Sequence, residues 1–336
     1  MEPNEYYYKK VIGAIGGAML IFLGLINVFG IAITLVVYVP ALLGVGDVAS
    51  NVIYQLVYAA GYLTCFMLPV AFLRLFLRRA HCPIQPMAVA PRVSPWLPFM
   101  IFAGLAICFS AAQINAAMVS IFDYSEFSSE YLWGESATMA PYELVLSFIV
   151  MCVVPGFCEE FLFRGAIMST CMPFGKSNAI LISAFLFAMM HQNAEQVLYT
   201  FVAGIVLGLV YERTGSIWNC TVLHLLNNFV SVAESAVFYK LGDSFEGNLI
   251  ILLIEGSIYL LGAISIGILV MRFGREKKPL SSGFFGKEVA ASDFYATAPI
   301  AGKRAFRLFL QPTMVIFLAL CLLQIVMLIG LALMLS

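Results

Sequence analysis

Charged side chains are scarce in this 336-residue sequence, in which Asp, Glu, Lys and Arg together make up 11% of the chain. An average soluble domain carries roughly 25%, and hydrophobic residues here reach 62%. This shortage excludes a water-soluble fold of this length. Apolar runs near the ~20 residues that cross a bilayer recur from end to end, and the alternating pattern of a membrane β-barrel is lacking. The sequence therefore predicts an all-α polytopic membrane protein.

Cysteine pairs with CxxC spacing are also lacking. The eight cysteines lie mostly inside apolar runs, where a thiol behaves as a small hydrophobic side chain. A disulfide framework is therefore not expected. The first apolar run, from Val11 to Leu43, is far longer than a signal-peptide core and has no clear cleavage site, so we expect it to be retained as the first span.

Nine apolar runs are predicted to span the membrane, eight in a core and one as an extra C-terminal span. Their bounds are 11–39, 51–77, 95–120, 141–171, 177–191, 195–212, 217–240, 248–273 and 308–335. As domains, we expect a helical bundle over 1–273, a basic cytoplasmic linker over 274–306 and a transmembrane helix over 307–336. The catalytic core described below is predicted at about 140–240.

The distribution of lysine and arginine predicts the orientation of these spans. With nine spans, nearly all the basic residues between spans fall on one side, and only Lys240 falls opposite. The loop at 121–139 carries four acids and no base, and it falls on the side opposite the basic residues. The N-terminus is therefore expected in the cytoplasm and the C-terminus outside.

Three ionisable residues interrupt the later part of the fourth predicted span, at Glu159, Glu160 and Arg164. Such residues are costly inside a membrane helix and indicate function by default. Residues four apart share a helix face, so Glu160 can pair with Arg164. Glu159 lies about 100° further round the helix. We therefore expect Glu160 to be neutralised and Glu159 to face a cavity, helped by a bend at Pro155.

Histidine is the rarest of the catalytic residue types here, with only three in the chain. One of them, His81, lies in a basic loop and is read as a surface residue. The other two have a partner one helical turn away, because Phe187 precedes His191 by four residues and Asn228 follows His224 by four. Polar groups therefore recur on the fourth, fifth and seventh predicted spans.

These residue types fit the hydrolysis of an acyl bond. A carboxylate and an imidazole that share a water form a general base, which suits Glu159 and His191. A second imidazole and a carboxamide can donate hydrogen bonds to a developing oxyanion, which suits His224 and Asn228. The alternative is that these polar groups only join helix to helix.

Three motifs, in chain order, resemble those of a known family. They are E-E-x-x-x-R at 159–164, F-x-x-x-H at 187–191 and H-x-x-x-N at 224–228. They are similar to the motifs of the CPBP family, also called the Abi family, which comprises type II CAAX prenyl endopeptidases and bacteriocin-processing enzymes. The resemblance covers about 155–230, and the flanks carry no motif that we can match to the family.

The resemblance implies roles for individual residues. Glu159 and His191 would activate water, His224 and Asn228 would form the oxyanion hole, and the neighbouring Glu160 and Arg164 would support the site. It further implies an intramembrane endopeptidase acting on a CAAX-type or bacteriocin-leader-like peptide. The expected partners are membrane lipid and a peptide or prenylated-protein substrate, with no nucleic acid. The expected location is a bacterial cell membrane, and the oligomeric state stays open.

Metal dependence is a separate question, because members of this family have often been labelled metalloproteases. The residue types allow zinc on Glu159, His191 and His224. The sequence lacks HExxH, and with those three as ligands only Glu160 would remain as a base. The resemblance to prenyl endopeptidases favours a glutamate mechanism without metal or other cofactor. Two other functions stay open, a proton-coupled transporter and a non-catalytic immunity or scaffold protein.

Overall fold

The fold is described from a computed structural model of the chain. It describes residues 3–44, 46–82, 87, 93–121, 141–274, 300 and 302–335. The regular structure in these residues is entirely helical, which confirms the predicted all-α class.

The long helices follow the apolar runs closely. They are α1 (Pro3–Leu42), α2 (Asp47–Arg79), α3 (Leu97–Ile121), α7 (Lys176–Met189), α8 (Ala194–Thr214), α9 (Ile217–Leu241), α10 (Phe245–Phe273) and α12 (Pro312–Leu335). Shorter helices are α4 (Pro141–Phe148), α5 (Val154–Glu160), α6 (Ser169–Cys171) and α11 (Gly302–Phe309).

Seven helical segments of the described chain are long and apolar enough to cross a membrane, against nine predicted spans. The first difference is α7, whose 14 residues extend only about 21 Å at 1.5 Å per residue. The second is α9, which has 25 residues but carries polar side chains such as Asn227 and Glu234 along its length. The protein is nevertheless a polytopic integral membrane protein.

Two of the predicted loops lie mainly outside the described residues. They are the acidic loop at 121–139 and most of the basic linker at 274–306. At the end of that linker the chain forms α11, and the last membrane helix starts only at Pro312. The predicted start at 308 was therefore wrong by about one turn, because proline favours the first turn of a helix.

The fourth predicted span is a helix that contains two π-helical segments, whose turns are wider than those of an α-helix. π-helical segments cover Ile149–Val153 and Phe161–Met168, and α5 lies between them. Proline lacks the N–H that an α-helix needs and crowds the carbonyl four residues earlier. A wider turn just before Pro155 relieves both conflicts, and π-turns are frequent at functional sites. The expected bend at Pro155 thus takes the form of a change in helical pitch on either side of the two glutamates.

The contacts within the chain group its residues into two compact units. The first comprises Met1–Met87, Val145–Ala179 and Ala291–Ala319. The second comprises Ala88–Leu144, Ile180–Ala290 and Leu320–Ser336.

The first unit is built on an antiparallel pair formed by α1 and α2. Ring contacts join Phe22 to Phe66 at 4.9 Å and Phe29 to Tyr58 at 5.8 Å between centroids. Residue numbers that rise on one helix fall on the other, as a connection of four residues requires. The opening turn of α12 packs on α1, where the Thr313 hydroxyl donates to the Gly13 carbonyl at 2.8 Å. The start of the last membrane helix is therefore part of this unit rather than an appendage.

The second unit packs α3 against α8 and α10, with α9 contacting all three. Its helices approach closely at small residues, as is common in membrane bundles. A Cβ on Gly204 of α8 would lie 2.8 Å from the Ala184 Cα of α7. A Cβ on Gly262 of α10 would lie 2.3 Å from the Ala106 Cβ of α3. The first of these contacts holds α8 against α7, the helix that leads to His191.

Candidate active site

The predicted ion pair of the first unit is present at the end of α5. Arg164 Nη1 donates to Glu160 Oε1 at 2.9 Å, and neither side chain is exposed. A charged pair at this burial is held by mutual attraction and hydrogen bonding, because each partner alone would be costly to bury. This contact accounts for two of the three ionisable residues that interrupt the span.

The neighbouring carboxylate has a different partner, which the sequence did not indicate. The Tyr62 hydroxyl of α2 donates a hydrogen bond to Glu159 Oε1. Glu159 is itself 4% exposed. Two consecutive glutamates therefore have separate identified partners, a guanidinium for Glu160 and a phenol for Glu159.

The first motif histidine lies just beyond the C-terminal end of α7. Its Nδ1 is 2.7 Å from the carbonyl oxygen of Phe187, one turn back. A carbonyl can only accept, so this contact places the proton of the neutral ring on Nδ1. The basic lone pair of His191 is then on Nε2. The next residue, Gln192, lies in the turn after α7 and adopts φ +53°.

Phe187 is the common neighbour of both motif histidines in the second unit. Its ring meets the His191 ring edge-on at 5.1 Å and the His224 ring edge-on at 5.9 Å between centroids. Phe187 is 2% exposed, so its position is held by packing. The phenylalanine of F-x-x-x-H thus orients an imidazole from α7 and another from α9.

The third motif lies in the first half of α9. His224 is buried, and the adjacent Asn227 donates its amide hydrogens to the Tyr199 hydroxyl oxygen and, at 3.4 Å, to Asn228 Oδ1. Because Asn228 accepts this bond through Oδ1, its donor atom is Nδ2. Tyr199 lies outside the three sequence motifs.

Each unit therefore collects part of the predicted residue set. The first unit contains Glu159, Glu160 and Arg164. The second contains His191, His224 and Asn228, with the two imidazoles joined through Phe187. The catalytic and supporting roles assigned to these six residues stay predictions.

In the described part of the chain, no group of three or more His, Cys, Asp and Glu side chains is arranged to hold a metal ion. The alternative with zinc on Glu159, His191 and His224 stays a prediction.

Comparison with known families supports the reading of these motifs. Residues 141–230 match the family described as Type II CAAX prenyl endopeptidase Rce1-like. This match supports membership of the CPBP family. The matched segment contains all three CPBP motifs and ends two residues after Asn228. No curated protein and no solved structure matched the chain. The family indicates a membrane-embedded hydrolase of the protease class.

Proposed function

We propose that this protein is an intramembrane endopeptidase that hydrolyses a peptide bond of a lipidated or membrane-associated peptide. The observation that carries the proposal is the set of three ordered motifs inside the matched segment, 141–230. Their side chains are held in place by specific contacts in the two units. A carboxylate bonded by a phenol and an imidazole bonded by a backbone carbonyl are typical of positioned catalytic groups.

In the proposed reaction, Glu159 and His191 activate a water molecule. The water gives up a proton to this pair as its oxygen attacks the carbonyl carbon of the scissile peptide. His191 suits this role because its Nδ1 is engaged by the Phe187 carbonyl and Nε2 carries the lone pair. General acid–base catalysis of this kind contributes about 10²–10⁴-fold to a rate.

His224 and Asn228 are proposed to donate hydrogen bonds to the oxygen that becomes negatively charged. Donors aimed at a developing charge in a water-poor site stabilise the transition state strongly. When the tetrahedral intermediate collapses, the C–N bond breaks and the captured proton passes to the leaving amine. The products are a new carboxyl terminus and a new amino terminus, so one water is consumed and no other reactant is needed.

Glu160 and Arg164 are proposed to support the site without touching the substrate. Their ion pair neutralises the charge next to Glu159 inside the apolar span. The expected partners are membrane lipid and a peptide substrate of the CAAX-type or bacteriocin-leader-like class, near the cytoplasmic face of a bacterial cell membrane.

Cleavage by the purified protein in lipid nanodiscs tests this proposal. Isoprenylated CAAX peptides and a diverse peptide library are offered to the wild type, to Glu159→Gln and to a matched control, Glu255→Gln. The control removes a membrane carboxylate from α10, outside the matched segment. We expect new termini by mass spectrometry with the wild type and the control, and none with Glu159→Gln. Equal cleavage by Glu159→Gln would refute the assigned base.

Parallel reactions with a chelator test the metal alternative. Retained cleavage agrees with water activation by Glu159 and His191, whereas cleavage restored only by added zinc would support the metal reading. If no peptide is cleaved, two further measurements decide between the other functions. Substrate flux driven by a pH gradient in proteoliposomes would indicate a transporter, and cell protection by Glu159→Gln would indicate an immunity or scaffold role.

A further inference from the structure

The structure assigns Tyr62 as the residue that positions Glu159 for catalysis, an inference that rests on the proposed function. Tyr62 lies on α2, 97 residues before the glutamate to which its hydroxyl donates. It is outside the matched segment and outside all three motifs. The phenol can donate only one proton, and an ionised carboxylate can only accept. The phenol is therefore the donor of this bond and Glu159 its acceptor.

The ring of Tyr62 is held on both faces by its neighbours on α2. The Tyr58 ring stacks against it at 5.8 Å with 24° between the planes, and the Phe66 ring at 4.7 Å with 26°. Positions four apart share a helix face, which brings the three rings into one column. Such contacts restrict both torsions of a tyrosine and fix the direction of its hydroxyl.

The two flanking rings are themselves anchored on α1. Phe66 meets Phe22 at 4.9 Å, and Tyr58 meets Phe29 at 5.8 Å between centroids. Phe66 is 1% exposed. Two layers of aromatic packing thus fix the hydroxyl of Tyr62. Helix α2 also packs along α5 and the π-helical segment that follows it. A glutamate has three side-chain torsions, and a fixed donor selects one arrangement of them.

Positioning of this kind predicts a specific kinetic change in Tyr62→Phe. The substitution keeps the ring and its stacking and removes only the donor. A hydrogen bond to a charged group corresponds to roughly ten- to hundredfold in an equilibrium or rate. We expect kcat to fall by about that factor while KM stays within about twofold, because Tyr62 acts through Glu159 and not on the substrate.

The matched control is Tyr54→Phe, which makes the same chemical change two turns earlier in the column. The Tyr54 ring lies 6.1 Å from Tyr58 and has no contact with Tyr62 or Glu159 among those described. We expect its kcat and KM to equal those of the wild type. In addition, p-aminophenylalanine at position 62 restores an N–H donor on the same ring, so it should recover most of the lost kcat. Unchanged kcat in Tyr62→Phe, or loss of activity in both Phe variants, would overturn the inference.

A measurement without substrate separates this inference from the proposed function. The ¹³C resonance of the Tyr62 ring carbon that bears the hydroxyl reports its hydrogen bond. It is assigned by comparing labelled wild type with Tyr62→Phe. The resonance should move in Glu159→Gln and stay in place in Glu255→Gln. If the wild type cleaves no peptide, the proposed function fails while a moved resonance still supports positioning of Glu159. A resonance that does not respond to Glu159→Gln would overturn the inference whatever the activity.

Discussion

At the scale of single residues, the two adjacent glutamates should respond differently to substitution. Glu160→Gln removes the negative charge that pairs with the Arg164 guanidinium, and neither side chain of this pair is exposed. Breaking a buried pair in this way costs about 3–5 kcal/mol. We therefore expect a clearly lower unfolding temperature for Glu160→Gln in nanodiscs. All eight cysteines are buried thiols, so labelling by a thiol-reactive fluorophore during heating reports unfolding.

Glu159→Gln is the comparison for that experiment. Its amide oxygen can still accept from the Tyr62 hydroxyl, so the expected loss of stability is no more than about 1 kcal/mol. For peptide cleavage we expect the larger loss in Glu159→Gln, because Glu159 is required for the chemistry and Glu160 for the fold. Equal unfolding temperatures for both variants would contradict the assignment of Glu160 as the structural partner of Arg164.

Phe187, whose ring contacts both motif histidines, is a second residue at which substitution should change activity. Phe187→Leu keeps an apolar side chain but removes edge-on contacts to both imidazoles. Each aromatic contact contributes about 0.5–1.5 kcal/mol, so a fall in kcat of about tenfold is expected. Phe185→Leu, on the same helix but half-exposed, should leave kcat unchanged. Peptide cleavage by both variants checks this, and equal rates would remove Phe187 from the site.

Local spacing explains which of these contacts could be predicted. The Glu160–Arg164 pair follows from a separation of four on one helix, and the predicted pair is present. The Tyr62–Glu159 bond joins two helices 97 residues apart, and no periodicity within α2 indicates its partner. The contact of Phe187 with His224 is of the same kind, because it depends on how α7 packs against α9.

At the scale of helices, close approach at glycine should control stability. Gly204→Ala would place a Cβ 2.8 Å from the Ala184 backbone, and overpacking of this kind costs about 1–3 kcal/mol. Gly256→Ala is the matched control, because a Cβ at that position of α10 meets nothing within 4 Å. Thermal unfolding in nanodiscs should therefore show a loss for Gly204→Ala and none for Gly256→Ala. Equal stability of the two variants would contradict the close packing of α7 and α8.

The positions of the helices could be predicted from apolar runs. The change from α-helical to π-helical turns within one helix could not. The run over 141–171 is mostly apolar apart from Glu143, Glu159, Glu160 and Arg164, and it contains two π-helical stretches. Only Pro155 marked the place, and a proline predicts a disturbance without specifying its form. Span counting was limited by helix length. The run at 177–191 was counted as a span, although its helix, α7, has 14 residues and about 20 are needed to cross a bilayer.

At the scale of the whole molecule, the charge distribution predicts which side each terminus occupies. Nine spans predicted from the sequence and seven candidate spans among the described residues are both odd numbers, and an odd number of spans puts the two termini on opposite sides of the membrane. The positive-inside rule predicts a cytoplasmic N-terminus. Because all native cysteines are buried, a cysteine appended to either end can be probed with a membrane-impermeant maleimide in intact cells. We expect labelling at the C-terminal end only, and labelling at the N-terminal end would reverse the topology.

The decisive measurement for the role of Glu159 is the rate of peptide-bond hydrolysis by Glu159→Gln. It is measured in nanodiscs on the best-cleaved peptide, beside the wild type and Glu255→Gln. We expect a loss of kcat of at least about hundredfold for Glu159→Gln with the protein still folded, and a wild-type rate for Glu255→Gln. Full proteolysis by folded Glu159→Gln would contradict it, because the carboxylate held by Tyr62 would then have no part in activating water.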